Sequence, residues 1–201
     1  QSSVSTDDLL RELASHGTPQ FPIRYYLDDS LRLPDRTVGR HWHTELECVV
    51  IREGRADYRI GDRDISLRQG EGVFINSTVL HGCLTPVGER TLAPNIVFSP
   101  SFIAETDQLI YRKFLLPILN SSISCLLLRP SIGWQKEILD LLGTVFDLFE
   151  TGGPAAELEI RLAVSAVWRL IFLHRSDCLT QPQSAGFLAL QGRLKLMLEY
   201  L

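Results

Sequence analysis

The chain has 201 residues, 45% of them apolar, and a formal charge of −4, enough for one full domain and part of a second. An acidic balance carries no general nucleic-acid signal, so any DNA-binding surface has to be local or lie outside these residues. The longest mostly apolar run, Leu162 to Leu173, contains Ser165 and Arg169 and is too short to span a bilayer. The start has no signal-peptide pattern and begins on Gln, which reads as a processed or trimmed end of a protein without a membrane partner, expected in the cytoplasm. Cys48, Cys83, Cys125 and Cys178 form no CxxC pair and are expected to be reduced thiols, with Cys48 and Cys125 buried.

Residues 1–20 form an N-terminal arm, with Leu9, Leu10 and Leu13 at helical spacing and a break at Gly17-Thr18-Pro19. From Phe21 to about Phe98 the text reads as short strands. Phe21 to Tyr26 is aromatic and extended, and Leu46 to Ile51 is β-branched. Turns at Glu53-Gly54 and Gly61-Asp62 flank Ala56 to Ile60. Ile65–Leu67 and Val73–Ile75 flank a bend at 69–72, and Asn95 to Phe98 closes the series. Many short strands joined by Gly and Asp turns predict a barrel or sandwich over 21–105.

The period then changes. Apolar residues at 138, 142, 145 and 149 predict an amphipathic helix from Trp134 to Phe149, stopped by Gly152-Gly153-Pro154. The helix expected over 155–175 is apolar around most of its girth, with one polar stripe of Glu157, Arg161, Ser165 and Arg169. Such a helix needs cover on several sides. A layer over 106–175 that pairs two copies of the chain is therefore expected, with Leu162, Val167, Leu170 and Ile171 at the interface. Residues 176–188 have linker composition. Leu194, Met197, Leu198 and Leu201 share one face of a further amphipathic helix over 189–201, which reads as the first helix of a domain continuing beyond the chain.

The densest chemistry lies at His41-x-His43-x3-Glu47-x6-Gly54, with His81 further on. Residues 41 to 47 are expected to lie on one strand, where alternation puts His41, His43 and Glu47 on one face, and a second strand could bring His81 to them. Three imidazoles and a carboxylate make either a divalent-metal site or a polar ligand pocket. No Ser-His-Asp or Cys-His spacing suggests a nucleophile. Trp42, of opposite parity, is expected to pack under the helices, and His16 and His174 to be ordinary surface or interface residues.

The spacing from His41 to Gly54 is similar to the first motif of the cupin superfamily, and Gln69-Gly-Glu-Gly-Val-Phe-Ile-Asn-Ser-Thr-Val-Leu-His81 resembles the second. Ser77 and Val79 stand where that motif carries Pro-x-Gly, and Thr85 where a later Asn is usual. Phe21-Pro-Ile, the His41–Glu47 stretch, Gly72 to His81, Val97-Phe98-Ser-Pro and Arg193 to Leu201 occur in an order that resembles AraC-type transcriptional regulators. The resemblance implies a mainly β fold with α: a cupin-like double-stranded β-helix (jelly-roll) barrel followed by a helical layer. It implies a sensor and not an enzyme: the barrel binds a small-molecule effector, often a sugar, the helices form a homodimer, and DNA is bound only through a C-terminal helix-turn-helix domain that this chain lacks.

Three readings of the site stay open. His41, His43, Glu47 and His81 bind Zn, Fe, Mn or Ni. Alternatively, the same groups bind a sugar-like effector without metal, with Arg24, Tyr26, Tyr58, Cys83 and Asn95 lining the cavity. The third reading is purely structural. The alternative function is a metal-dependent cupin enzyme, such as a dioxygenase or sugar isomerase.

Overall fold

A computed structural model describes residues 4–179. Among the described residues, nine strands form two antiparallel sheets facing each other. The larger sheet holds β1 (Ile23–Asp29), β8 (Leu92–Phe98), β3 (Leu46–Val50), β6 (Gly72–Ile75) and β9 (Cys125–Leu128), in that spatial order. The smaller holds β2 (Thr37–His41), β7 (His81–Leu84), β4 (Arg55–Ile60) and β5 (Arg63–Arg68). This is a β-sandwich of two antiparallel sheets followed by helices, the architecture expected from the sequence.

Strand alternation builds two cores from one sheet. Val49, Ile51, Val73, Ile75 and Ala93 face the smaller sheet and pack with Tyr58, Ile60, Ile65 and Leu67. Their neighbours Leu46, Cys48, Phe74, Ile96 and Phe98 face the other way, into the helical layer. That layer is α2 (Gly133–Thr151) and α3 (Ala156–Leu173), preceded by a π-helical turn at Tyr111–Leu115 running into the short α1 (Leu116–Leu119). Ile138, Leu142, Val145 and Phe146 of α2 and Ile160, Val164, Val167, Trp168 and Ile171 of α3 complete the core. The Trp168 indole packs edge-on against Phe74, 6.0 Å between centroids, and donates to the Phe114 carbonyl at 3.1 Å.

Several expectations are corrected. Residues 41 to 47 are not one strand: β2 ends at His41 in the smaller sheet and β3 begins at Leu46 in the larger. The arm is not helical; it forms isolated bridges, Thr6 with Glu12 and Arg11 with Trp42, and Leu9, Leu10 and Leu13 point to solvent. Region 106–175 is not all helix, because β9 within it extends the larger sheet by pairing with β6. Val167, Leu170 and Ile171 are buried in the chain's own core, and of the four residues expected at a subunit interface Leu162 alone is exposed. The linker expected from 176 begins as a short helix, α4 (Arg175–Leu179); the rest of it, and the helix expected over 189–201, lie outside the described residues. Cys48 and Cys125 are buried and Cys83 half-buried, and none of the three is in a disulfide.

Two turn glycines separate backbone conformation from space. Gly54 and Gly70 have φ of +77° and +85°, where a side chain is strained. A Cβ on Gly54 would also land on the Arg90 carbonyl, whereas one on Gly70 meets open space. Gly70→Ala should therefore cost about 1–2 kcal/mol in urea unfolding, and Gly54→Ala about 1–3 kcal/mol more. Equal costs would contradict this packing of the 53–54 turn on the 90–91 segment.

Candidate metal and ligand site

Four side chains converge between the sheets. His41 ends β2 and pairs with His81, the first residue of β7. Glu47 lies on β3, paired with Ile75 and Val97, and alternation turns it toward the barrel with Val49 while Cys48 faces the helices. His43 sits in the segment that crosses from one sheet to the other. The Thr78 amide donates to the His43 carbonyl at 2.8 Å, and the Ser77 hydroxyl to the Thr44 carbonyl at 2.7 Å. The loop before β7 thus holds the loop before β3. Thr78 takes a left-handed conformation, φ +62°, a strained position of the kind found where a turn aims functional groups.

All four residues are buried, and one ligand atom from each lies within 4.8 Å of the others. The hydrogen bonds fix the tautomers. His41 Nδ1 lies 2.8 Å from the Gly39 carbonyl, His81 Nδ1 2.7 Å from that of Val79, and His43 Nδ1 3.2 Å from that of Glu45. A carbonyl only accepts, so each Nδ1 carries the proton and donates, and a neutral ring then offers a lone pair at Nε2. His81 Nε2 is 2.9 Å and His43 Nε2 3.4 Å from the Glu47 carboxylate, and all three side chains are buried. Carbonyl-oriented imidazoles around a carboxylate are the arrangement that outer hydrogen bonds give to metal ligands. The donor set fits a divalent transition metal bound by His41, His43, Glu47 and His81.

Electrostatics agree with a cation-seeking site. Burial and neighbouring His81 push His41 down to about 4. Burial works to raise Glu47, but His81 and His43 outweigh it and hold the carboxyl well below its usual range. Near neutral pH His41 is therefore an uncharged donor and Glu47 an anion.

A second polar group lies deeper in the barrel. Asn95 donates to Asp28 at 3.0 Å and to the Ala93 carbonyl at 3.3 Å. Burial, with Glu47 nearby, pushes Asp28 up to about 6. Tyr58 is paired across β4 and β7 with Cys83. Burial raises its hydroxyl well above the usual range, with Cys83, Glu47 and Asp28 contributing, and burial likewise pushes the Cys83 thiol up to about 12. Tyr58, Cys83 and Asn95 are thus brought together, along with Asp28, which sequence reasoning missed because an Asp near a strand end resembles any turn residue. Tyr26 is half-buried at the barrel mouth. Arg24 is exposed, with its guanidinium 5.6 Å from the centre of the Tyr26 ring.

Two further expectations fail here. His16 is buried, its Nδ1 2.9 Å from the Tyr26 hydroxyl and its Nε2 3.2 Å from Glu12. Trp42 does not pack under the helices; it clamps the arm, donating from Nε1 to the Leu9 carbonyl at 2.9 Å. Glu12 was not singled out from sequence, though it lies 3.7 Å from His41 Nε2. Its i, i+4 spacing to His16 was the available signal. His174, expected to be an ordinary residue, is half-buried and stacks on Trp134 at 4.3 Å.

The pH dependence follows from His41. Unfolded, a histidine titrates near 6.5; here it titrates near 4. As pH falls the unfolded chain takes up the proton first, so the metal-free fold keeps this contribution above 6.5 and loses it between 6.5 and 4. Urea midpoints at pH 7 and 5 should fall less in His41→Asn than in the parent chain; identical falls would contradict the burial assigned to this ring.

Residues 33–91 match the model of the cupin domain, a span that includes all four converging residues. The chain is 27% identical over 164 residues to a Bacillus subtilis (strain 168) protein named "Uncharacterized HTH-type transcriptional regulator YdeC", a match covering 81% of this chain and 56% of that protein. The chain thus spans little more than half the length of that curated relative. Among solved structures, the TT1209 protein from Thermus thermophilus superposes with a TM-score of 0.36 at 20% identity, covering 38% of this chain and 72% of that one. A cupin 2 domain-containing protein from Halorhodospira halophila gives 0.33 at 24%, covering 40% and 54%. No helix of the described residues is long and apolar enough to cross a membrane. Residues 33–91 are thus similar to the cupin domain, and the chain is distantly related to a protein named as a helix-turn-helix transcriptional regulator.

Proposed function

We propose that the chain is the sensing and subunit-pairing module of an AraC-type regulator, responding to a sugar or another small polar effector bound in the barrel. The observation that carries this reading is the shared sheet. Glu47 faces the candidate site, and the next residue, Cys48, packs in the core that holds α2 and α3. A solute that shifts β3 by a fraction of an ångström bears directly on the helices, because a close-packed core transmits displacement. The named regulator among the relatives supports the DNA-binding context.

His41, His43, Glu47 and His81 would hold a divalent cation such as Zn, Fe, Mn or Ni, which when bound supplies a Lewis-acidic anchor for an effector oxygen. Asn95, Asp28 and Tyr58 offer hydrogen bonds to hydroxyls of the same solute, and Tyr26 an aromatic face at the mouth. In this reading the site recognises a solute and does not transform it.

Pairing is assigned to α3. Leu158 and Leu162, one turn apart, are 61% and 62% exposed. Beside Leu173 lies an apolar groove of about 340 Å³ formed by Ile103, Ile110, Phe114, Trp168 and Phe172. Exposed leucines at helical spacing beside such a groove suit a second copy of the same helix.

The four-residue centre favours one other reading, a metal-dependent cupin enzyme such as a dioxygenase or sugar isomerase. Incubation of Fe- or Mn-loaded protein with polyols, followed for oxygen uptake and product, separates the two; turnover would favour the enzyme. For the sensor, light scattering at micromolar concentration should give twice 22.7 kDa, and Leu162→Glu should halve it while keeping the circular dichroism of the folded chain. This acidic chain should not shift operator-like DNA. A monomeric parent chain, or tight salt-sensitive DNA binding, would contradict the proposal.

A further inference from the structure

We propose that Glu12, carried in by the N-terminal arm, is a fifth ligand of the metal centre. This rests on reading His41, His43, Glu47 and His81 as metal ligands. The arm is inverted relative to an ordinary surface segment: Leu9 and Leu13 lie in solvent, while Glu12 between them is buried. A carboxylate placed inward at the expense of leucines has a polar reason to be there. Its Oε2 lies 3.7 Å from His41 Nε2. Adjacent ligands on one metal with bonds of about 2.1 Å lie about 3.0–3.6 Å apart, so the carboxylate stands close to one ligand spacing away.

The placement is held on both sides. The Glu12 amide donates to the Trp42 carbonyl at 2.9 Å, and the Trp42 amide to the Leu10 carbonyl at 2.9 Å. Arg11 lies over the Trp42 ring, 5.8 Å from its centre. Trp42 stands between His41 and His43 in the chain, so the residue that fixes the arm is flanked by two ligands. The same Oε2 also lies 3.2 Å from His16 Nε2, and His16 is itself held by Tyr26, as neighbouring partners orient ligating carboxylates. A cavity of about 490 Å³ beneath the arm, lined by Glu12, His16, His43, Thr44 and Glu45, gives access.

Charge favours the same assignment. A divalent cation with neutral imidazoles and Glu47 alone leaves one uncompensated positive charge in a buried site. A second carboxylate neutralises it, and buried charge is tolerated when it is paired. Glu12 therefore suits a divalent ion that accepts mixed nitrogen and oxygen ligands in five- or six-fold coordination, such as Mn, Fe or Co.

Cobalt(II) titration of chelator-stripped protein tests this, with affinity measured against a chromophoric chelator and coordination read from the visible d–d bands. Glu12→Gln should weaken Co(II) about 10–100-fold and intensify the bands as coordination drops toward four. Glu12→Asp, which keeps the charge but retracts it, should fall between and serves if Glu12→Gln does not fold. Co(II) should also slow hydrogen exchange of the Glu12 amide in the parent chain. Unchanged affinity and spectrum in Glu12→Gln and Glu12→Asp, with a parent chain that binds Co(II) through His81, would overturn the arm ligand alone. A parent chain that takes up no Co(II), like His81→Ala, would overturn the four-residue centre and this proposal with it.

Discussion

Everything in the barrel is arranged around one buried contact between imidazoles and a carboxylate. Imidazole nitrogens of His43 and His81, their other nitrogens committed to backbone carbonyls, face the Glu47 carboxylate at 3.4 and 2.9 Å in a buried space. A carboxylate out of water is costly unless positive charge or donors face it, and here the histidines hold Glu47 ionised. The two sheets supply the walls, the strained turn at Thr78 sets His81, and the Ser77 and Thr78 hydrogen bonds pin the segment carrying His43.

The larger sheet has a double allegiance. One face lines the site and the other is the floor of the helical layer, so β3, β6 and β8 each contribute to both cores. In such a sheet the chemistry of the interior and the packing of α3 are separated by a single peptide unit, at Glu47 and Cys48. At the layer's edge the Tyr25 hydroxyl donates to Glu150 of α2, and Arg52 reaches the same carboxylate at 2.9 Å. Barrel and helices are therefore tied by polar contacts as well as by apolar ones.

Much of this was legible in the sequence, for identifiable reasons. The turn chemistry at Glu53-Gly54 and Gly61-Asp62 marked strand ends correctly, and the 3.6-residue period marked α2 and α3 to within two residues. The four metal-type residues were found because histidine and glutamate at short spacing are chemically conspicuous. The reason given for their convergence was wrong: they meet across two sheets, and the parity of one strand does not apply.

The misses share one cause, which is long-range pairing. Strand β9 is set by its partner β6 and not by any local period. Glu12 and His16 belong to a segment whose leucines mimic a helix, and only the bridge to Trp42 reveals that the arm lies across the barrel mouth. The apolar girth of α3 suggested a partner for Val167, Leu170 and Ile171, but the neighbouring helix and sheet already cover them, leaving Leu158 and Leu162 outside.

Anomalous diffraction from crystals grown with a divalent transition metal, recorded on both sides of its absorption edge, tests the central claim most directly. The account predicts one strong peak inside the barrel, about 2.0–2.2 Å from the Nε2 atoms of His41, His43 and His81 and from a Glu47 oxygen. A chain that stays free of metal there, or binds it only on its surface, would contradict it.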